Sequence, residues 1–426
     1  MKRSHKDIFV IGFALFSMFF GAGNVIFPPY LGLSCGSQWF LGFACYYLAD
    51  IGLALLALFA ILRSGSPEAM TRRIGKLPST LLLSAIVLCI GPMLAIPRTA
   101  ATTYEMSLAP LVSGFSSVLF SFLFFAVILL LCLRESAVVD IVGKILTPVL
   151  LIGLLVLIVY GVVNPIGPVP DRVLVDNVPI TGIEAGYQTM DVLASVVFGI
   201  ILLKSAQDKG YTDSKSQTRV VAGAGIVAGA ALLVVYLGLT YLGVTTSRFF
   251  DLTVPRTFLV VSIVRNLMGP AGIVLFAVVV ALACITTAVA LVSSAASHFS
   301  KLSGGKLRYT WLVTLICLFS AVVANIGLDQ IVSIASPILS IVYPPMLVLI
   351  FLSFFDARIQ NDWAIRMATV GALAFSILSA AASFGLSIPF LAQLPLASVG
   401  FGWVLPAAVC GLLGALMGRS RPKSNS

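Results

Sequence analysis

Gly21-Ala22-Gly23-Asn24 interrupts an apolar run from Ile8 to Leu31, and Pro28-Pro29 follows just beyond. Glycine lowers the cost of leaving a helix, and each broken helical bond frees a backbone amide or carbonyl. A half-helix over 8–20 would end in bare carbonyls with partial negative charge. A second half-helix starting near Asn24 would offer bare amides with partial positive charge. A zwitterion fits between such ends, its carboxylate at the amides and its ammonium at the carbonyls. A small cation also suits the carbonyls. The competing use of the same glycines is a notch for close helix packing.

Other chemistry-bearing groups lie inside apolar sequence. Asp191, in Gly186-Tyr187-Gln188-Thr189-Met190-Asp191, is a carboxylate near the centre of a predicted span. Such a group costs about 2.5–3.5 kcal/mol on insertion scales, so it requires a partner. It could accept a substrate ammonium, cap a broken helix, or pair with Arg98. Arg98 lies two turns before Glu105 on one helix face, which suggests a gate or a structural ion pair. Asp50 reads as a buried hydrogen-bond acceptor with no assigned function. Thr286 and Thr287 follow the Ala283 carbonyl by one turn. Threonines in membrane helices usually bond back to their own backbone. Two adjacent hydroxyls together with bare span 1 carbonyls would nevertheless form a neutral oxygen set suited to Na⁺.

The positioning elements follow from composition. The chain has 426 residues, 59% hydrophobic and 10% charged, with mean hydropathy +1.09. A soluble domain would carry about a quarter charged residues. A spanning helix needs about 20 apolar residues to cross ~30 Å of hydrocarbon. The whole chain therefore reads as one polytopic, all-α domain in a lipid bilayer, with about twelve spans. These fall at 8–31, 39–62, 80–105, 114–133, 143–163, 186–204, 220–243, 271–297, 309–326, 333–355, 365–386 and 396–417. Residues 254–267 read as a short amphipathic helix outside the hydrocarbon. If spans 1–5 (8–163) and spans 6–10 (186–355) are repeats, their odd number makes them inverted, with two further helices at 365–417. Spans 1 and 6, both irregular, then become counterparts, the pattern that points to a transport site.

Lys and Arg crowd one set of loops, including Arg63, Arg72, Arg73, Lys76, Lys204, Lys209, Lys301 and Lys306. Only Arg172, Arg248, Arg256 and Arg265 lie in the opposite set, which places both termini in the cytoplasm. The net charge of +10 is scattered through short loops and does not indicate nucleic acid. The N-terminal run imitates a signal peptide, but more apolar sequence follows its small residues, so cleavage is not expected. The seven cysteines include no CxxC pair. With two histidines, His5 and His298, both at cytoplasmic ends, and no phosphate-binding loop, neither hydrolysis nor ATP coupling is supported, and no resident cofactor is expected.

The stretch Phe20 to Pro29 closely resembles the opening motif of the branched-chain amino acid:cation symporters. Gly91-Pro92 with Pro97-Arg98-Thr99-Ala100, Gly143-Lys144 with Thr147-Pro148, Thr189-Met190-Asp191 with Phe198-Gly199, and Leu282-Ala283-Cys284 with Thr286-Thr287 continue the match in order. That family belongs to the amino acid–polyamine–organocation superfamily. The resemblance implies a 5+5 inverted repeat of the leucine-transporter type, with helices 1 and 6 broken. It further implies that amides near Gly21, Ala22 and Gly23, with Asn24 beside them, hold a substrate carboxylate. Carbonyls around Phe16 and Ser17, and from Gln188 through Thr189 to Met190, would hold the ammonium. Asp191, Ser195 and Phe198 complete the implied substrate set, Phe198 as part of an apolar wall. Na⁺ would take carbonyls near Ser17, Phe20 and Ala283, plus the hydroxyls of Thr286 and Thr287. Proton-driven relatives in the superfamily can place a span 5 lysine in that hole. Here the nearest, Lys144, lies about a turn away from Thr147, which favours Na⁺ while leaving H⁺ open.

The expected activity is import of leucine, isoleucine and valine with a cation, by alternating access, in a bacterial inner membrane. The alternatives are another small solute on the same architecture, such as a nucleobase or an aromatic amino acid, and an uncoupled channel or sensor.

Overall fold

The computed structural model describes residues 2–133, 147–385 and 388–417. Among the described residues there are helices and loops and no strand. Eight helical stretches are long and apolar enough to cross a membrane, and shorter apolar helices occupy Ser117–Leu133, Thr147–Val163 and Val404–Met417. Each expected span overlaps one of these stretches, the first half of span 1 being a separate helix, Lys2–Phe19.

Span 1 comes apart. Helix α1 (Lys2–Phe19) stops before Phe20-Gly21, and α2 (Ala22–Cys35) begins two residues earlier than Asn24. Pro28 and Pro29 lie inside α2. Each lacks an amide and so leaves a carbonyl one turn back without its helical donor. A short 3₁₀ turn leads into α3 (Trp39–Tyr47), a π-turn at Leu48–Gly52 and α4 (Leu53–Ser64). Span 3 is also irregular. Between α5 (Lys76–Leu88) and α6 (Ala95–Thr103), Gly91 takes φ −93°, ψ −130° ahead of Pro92. Helices α7 (Ser117–Leu133) and α8 (Thr147–Val163) follow.

Span 6 is the second broken one. Helix α9 (Val178–Thr189) ends at Met190, and α10 (Asp191–Asp208) starts immediately after it. Met190 has φ 69°, a left-handed conformation that costs an L-residue roughly 1–2 kcal/mol. Then come α11 (Ser214–Val244) and α12 (Arg256–Leu302). The amphipathic connector expected at 254–267 is the first part of α12. It meets span 8 at a kink where Gly269 has φ 62° before Pro270. Helices α13 (Tyr309–Val323), α14 (Leu328–Ser353), α15 (Asp362–Ser383) and α16 (Val404–Met417) complete the bundle. The last span is thus shorter than the expected 396–417.

Close backbone approach sets the two broken spans in place. Helices α2 and α11 cross at Gly32 and Gly243. A Cβ on Gly32 would come within 2.0 Å of the Thr240 carbonyl oxygen, and one on Gly243 within 1.9 Å of the Pro29 oxygen. Helix α9 packs on α3 in the same manner, with Gly186 against the Tyr46 backbone. Gly225 and Gly229, a small-xxx-small pair in span 7, receive Leu55 and Leu58 from α4, so they do serve packing. Phe16, Phe20, Tyr46 and Tyr236 are completely buried at the centre, whereas Trp311 and Leu416 are 72% and 84% exposed on the perimeter. That outward apolar surface fits lipid contact, where apolar side chains face hydrocarbon at no cost.

Candidate functional site

The break in span 1 is closed by its own asparagine. Asn24 Oδ1 accepts from the Gly21 amide at 3.3 Å, so the side chain folds back over the first turn of α2. The amides of Ala22, Gly23 and Asn24 lie in that turn, where an α-helix supplies no acceptor. Asn24 Nδ2 donates to Asp191 Oδ2 at 2.8 Å and to the Tyr236 hydroxyl. One buried amide therefore ties the break in span 1 to the break in span 6 and to span 7.

Asp191 opens α10 and receives Asn24. It makes no ion pair with Arg98 among the described residues, so of its expected roles neither that pairing nor a cap hydrogen bond is realised. Asp50, from the π-turn of span 2, accepts the Thr189 hydroxyl at 2.8 Å, a buried hydrogen bond as its sequence context suggested. The same hydroxyl lies 2.6 Å from the Gly186 carbonyl oxygen.

Arg98 and Glu105 do not pair. Arg98 donates Nη1 to the Gln188 carbonyl at 2.6 Å and Nη2 to the Thr189 carbonyl at 3.1 Å. Its guanidinium therefore occupies two of the carbonyls expected to hold a substrate ammonium. Glu105 instead accepts the Thr257 hydroxyl at 2.9 Å and the Leu328 amide at 3.1 Å, tying the end of span 3 to α12 and α14. Two turns of helix, interrupted by a π-turn at Tyr104–Leu108, aim the two side chains at different neighbours.

The oxygen set around α12 converges on the end of α1. Thr286 Oγ1 lies 2.9 Å from the Ala283 carbonyl oxygen and 3.2 Å from that of Ser17. Thr287 Oγ1 donates to the Met18 carbonyl at 3.2 Å, a partner the sequence did not single out. Phe20 lies in the break itself, and its amide donates to the Phe16 carbonyl at 2.8 Å, so that carbonyl is engaged within span 1. These neutral oxygens suit a hard monovalent cation. Among the described residues no cluster of His, Cys, Asp and Glu competes for one.

A small cavity of about 20 Å³ lies between the breaks, room for a single water. It is lined by Met18, Gly21, Ala22, Asn24, Arg98, Thr189, Met190, Asp191, Phe198 and Thr287, together with Phe19, Ile90, Ala95, Thr99, Ala194 and Leu291. Of the expected substrate residues, Gly21, Ala22, Asn24, Thr189, Met190, Asp191 and Phe198 thus meet at one place, with Arg98 and Thr287 beside them. Phe198 packs on Phe19 with ring centroids 5.7 Å apart. Ser195 does not reach the cavity, because its hydroxyl bonds back to the Asp191 carbonyl at 2.9 Å. Gln188 also lines a separate depression with Tyr30, Arg256 and Asp329. Ile90, Ala95 and Leu291 carried no sequence signal, because an apolar residue facing a cavity looks like any other in a span. Gly143 and Lys144 lie outside the described residues.

Paired helix breaks around a central cavity are the arrangement in which secondary transporters place their ligand. The same fold recurs in solved transporters. Mhp1, a nucleobase–cation-symport-1 family transporter in a closed conformation, aligns with TM-score 0.65 at 15% identity, covering 96% of this chain and 91% of that one. A Na⁺-coupled sialic acid symporter aligns with TM-score 0.65 at 14% identity, covering 97% and 91%. The molecule thus has the multi-pass, leucine-transporter type of fold that these solved structures share. More narrowly, the chain belongs to the branched-chain amino acid transport protein family, whose model matches residues 4–421. It is 36% identical to the branched-chain amino acid permease BraB of Bacillus subtilis, over 97% of this chain and 95% of that one. Identity is also 36% with the branched-chain amino acid transport system 2 carrier protein of Pseudomonas aeruginosa, over 97% and 96%. The permease BrnQ of Escherichia coli K12 is 33% identical over 97% and 96%. The family and these relatives are transport proteins, not enzymes.

Proposed function

We propose that this protein imports leucine, isoleucine and valine across a bacterial inner membrane, with both termini cytoplasmic, by symport with a cation. Na⁺ is the favoured ion and H⁺ the alternative. The observation that carries the coupling is the meeting of the Ser17, Met18 and Ala283 carbonyls with the Thr286 and Thr287 hydroxyls beside the span 1 break. The substrate class rests on the likeness to branched-chain amino acid carriers and on the apolar wall around Phe198. A cavity of about 20 Å³ is too small for leucine, so substrate entry requires the two broken spans to separate. Alternating access supplies that movement. One translocated charge contributes about 2.3 kcal/mol per 100 mV, or roughly 50-fold accumulation.

The test is uptake of radiolabelled leucine into proteoliposomes with Na⁺ and H⁺ gradients imposed separately. Accumulation should follow the Na⁺ gradient and be competed by isoleucine and valine. Equal uptake without any cation gradient rejects symport, and competition by nucleobases or aromatic amino acids instead of valine rejects the substrate class.

A further inference from the structure

Arg98 is more than a brace for the broken sixth span. It is 3% exposed, lines the central cavity and has no carboxylate oxygen within 4.0 Å among the described residues. Its donors to Gln188 and Thr189 account for part of the guanidinium, while Nε is buried with no partner. A guanidinium has five N–H donors and stays charged, and buried donors left unpaired are costly. The Phe27 ring face, 5.8 Å away, offers only a weak cation–π contact.

The position of the group adds a second, independent observation. Arg98 Nη2 lies against Gly23, so closely that a Cβ there would sit 2.8 Å from it. The guanidinium therefore borders the first turn of α2, whose amides of Ala22, Gly23 and Asn24 have no helical acceptor. A fixed cation and a positive helix end converge at one edge of the cavity. Both favour the same thing, a planar anion able to accept two hydrogen bonds.

We propose that Arg98 binds the carboxylate of the transported amino acid directly, sharing it with the first-turn amides of α2. The guanidinium is held by the Gln188 and Thr189 carbonyls. Substrate entry brings a carboxylate that takes up the free donors. The same contact makes a carboxylate obligatory: a cationic amine lacking one would leave those donors unpaired and meet the positive charge of the guanidinium.

The proposal deepens the reading of the protein as an amino acid carrier and rests on it. Its test compares leucine with leucinamide, which keeps the ammonium and the side chain but has no carboxylate, as competitors of labelled leucine binding to purified protein. In the unmodified protein leucinamide should compete at least about 100-fold more weakly, in line with the loss of one side of a buried charged pair. Arg98→Gln should weaken leucine by a similar factor and leave leucinamide unchanged or tighter, collapsing the ratio. Arg98→Lys, which keeps the charge but not the fork, should fall between. If Arg98 only braced span 6, Arg98→Gln would weaken both ligands equally, and an unchanged ratio overturns the proposal. Equal competition by the two ligands in the unmodified protein overturns it without any variant, should Arg98→Gln fail to fold. Failure of leucine, isoleucine and valine to bind while another amino acid does would remove the substrate assignment alone. The comparison would then be made with that amino acid and its amide. Binding of no carboxylate-bearing solute overturns both.

Discussion

Asn24 is the point at which the two broken spans are joined, and its removal has a calculable cost. Asn24→Ala deletes a donor 2.8 Å from a buried carboxylate, a second bond to the Tyr236 hydroxyl, and the long 3.3 Å contact from the Gly21 amide. A hydrogen bond to a charged group contributes about 1.5–3 kcal/mol and a neutral one about 1 kcal/mol. The 3.3 Å contact adds little. The expected loss is therefore roughly 2.5–4 kcal/mol, the larger part because Asp191 is left buried without its donor. A thermodynamic cycle isolates the pair. Asn24→Ala, Asp191→Asn and the double variant are purified, and leucine dissociation constants and melting temperatures are measured for all forms. If the bridge holds the breaks together, the coupling energy should be about 1.5–3 kcal/mol, or tenfold and more in affinity. Additivity within about 0.5 kcal/mol in both measurements would refute the bridge as an energetic link.

Three other outcomes are expected. Thr286→Ala with Thr287→Ala removes two oxygens beside the Ser17 and Met18 carbonyls, at about 1 kcal/mol each. The Na⁺ concentration for half-maximal leucine uptake should rise at least tenfold, while serine at both positions should preserve it; an unchanged Na⁺ response rejects the assignment. Phe198→Ala opens the wall against Phe19 and should shift preference toward larger side chains such as phenylalanine by about 1–3 kcal/mol, read as the ratio of uptake rates. Gly243→Ala places a methyl 1.9 Å from the Pro29 carbonyl oxygen, a backbone atom that cannot swing aside. It should lower the melting temperature by the equivalent of about 1–3 kcal/mol or more, and an unshifted melt would mean that α2 and α11 lie further apart than described.

Much of the molecule was legible in its residues. Hydropathy placed the spans, because a helix in hydrocarbon must satisfy its own backbone and shield it with about 20 apolar residues. The interruption at Gly21-Ala22-Gly23 marked the first broken helix, since glycine weakens a helix wherever it sits. The second break was less visible. It falls at Met190, a residue whose left-handed backbone no propensity foretells. The threonine pair was found by spacing, because one helical turn fixes Thr286 against the Ala283 carbonyl whatever surrounds it.

Partnerships across the bundle were another matter. Sequence offers Arg98 a gate or an ion pair with Glu105, or a pair with Asp191, but it meets carbonyls 90 and 91 positions away, and Asn24 meets Asp191 across 167. By itself the sequence settled what sits in lipid, roughly where helices run, and which oxygens one turn of helix brings together. Those features follow from local periodicity and from the chain's own backbone. Only the tertiary structure decided which buried charge faces which buried dipole. That choice depends on how helices cross, at contacts such as Gly32 on Thr240 and Gly243 on Pro29, and crossing is a property of two surfaces together, written in neither strand of sequence alone.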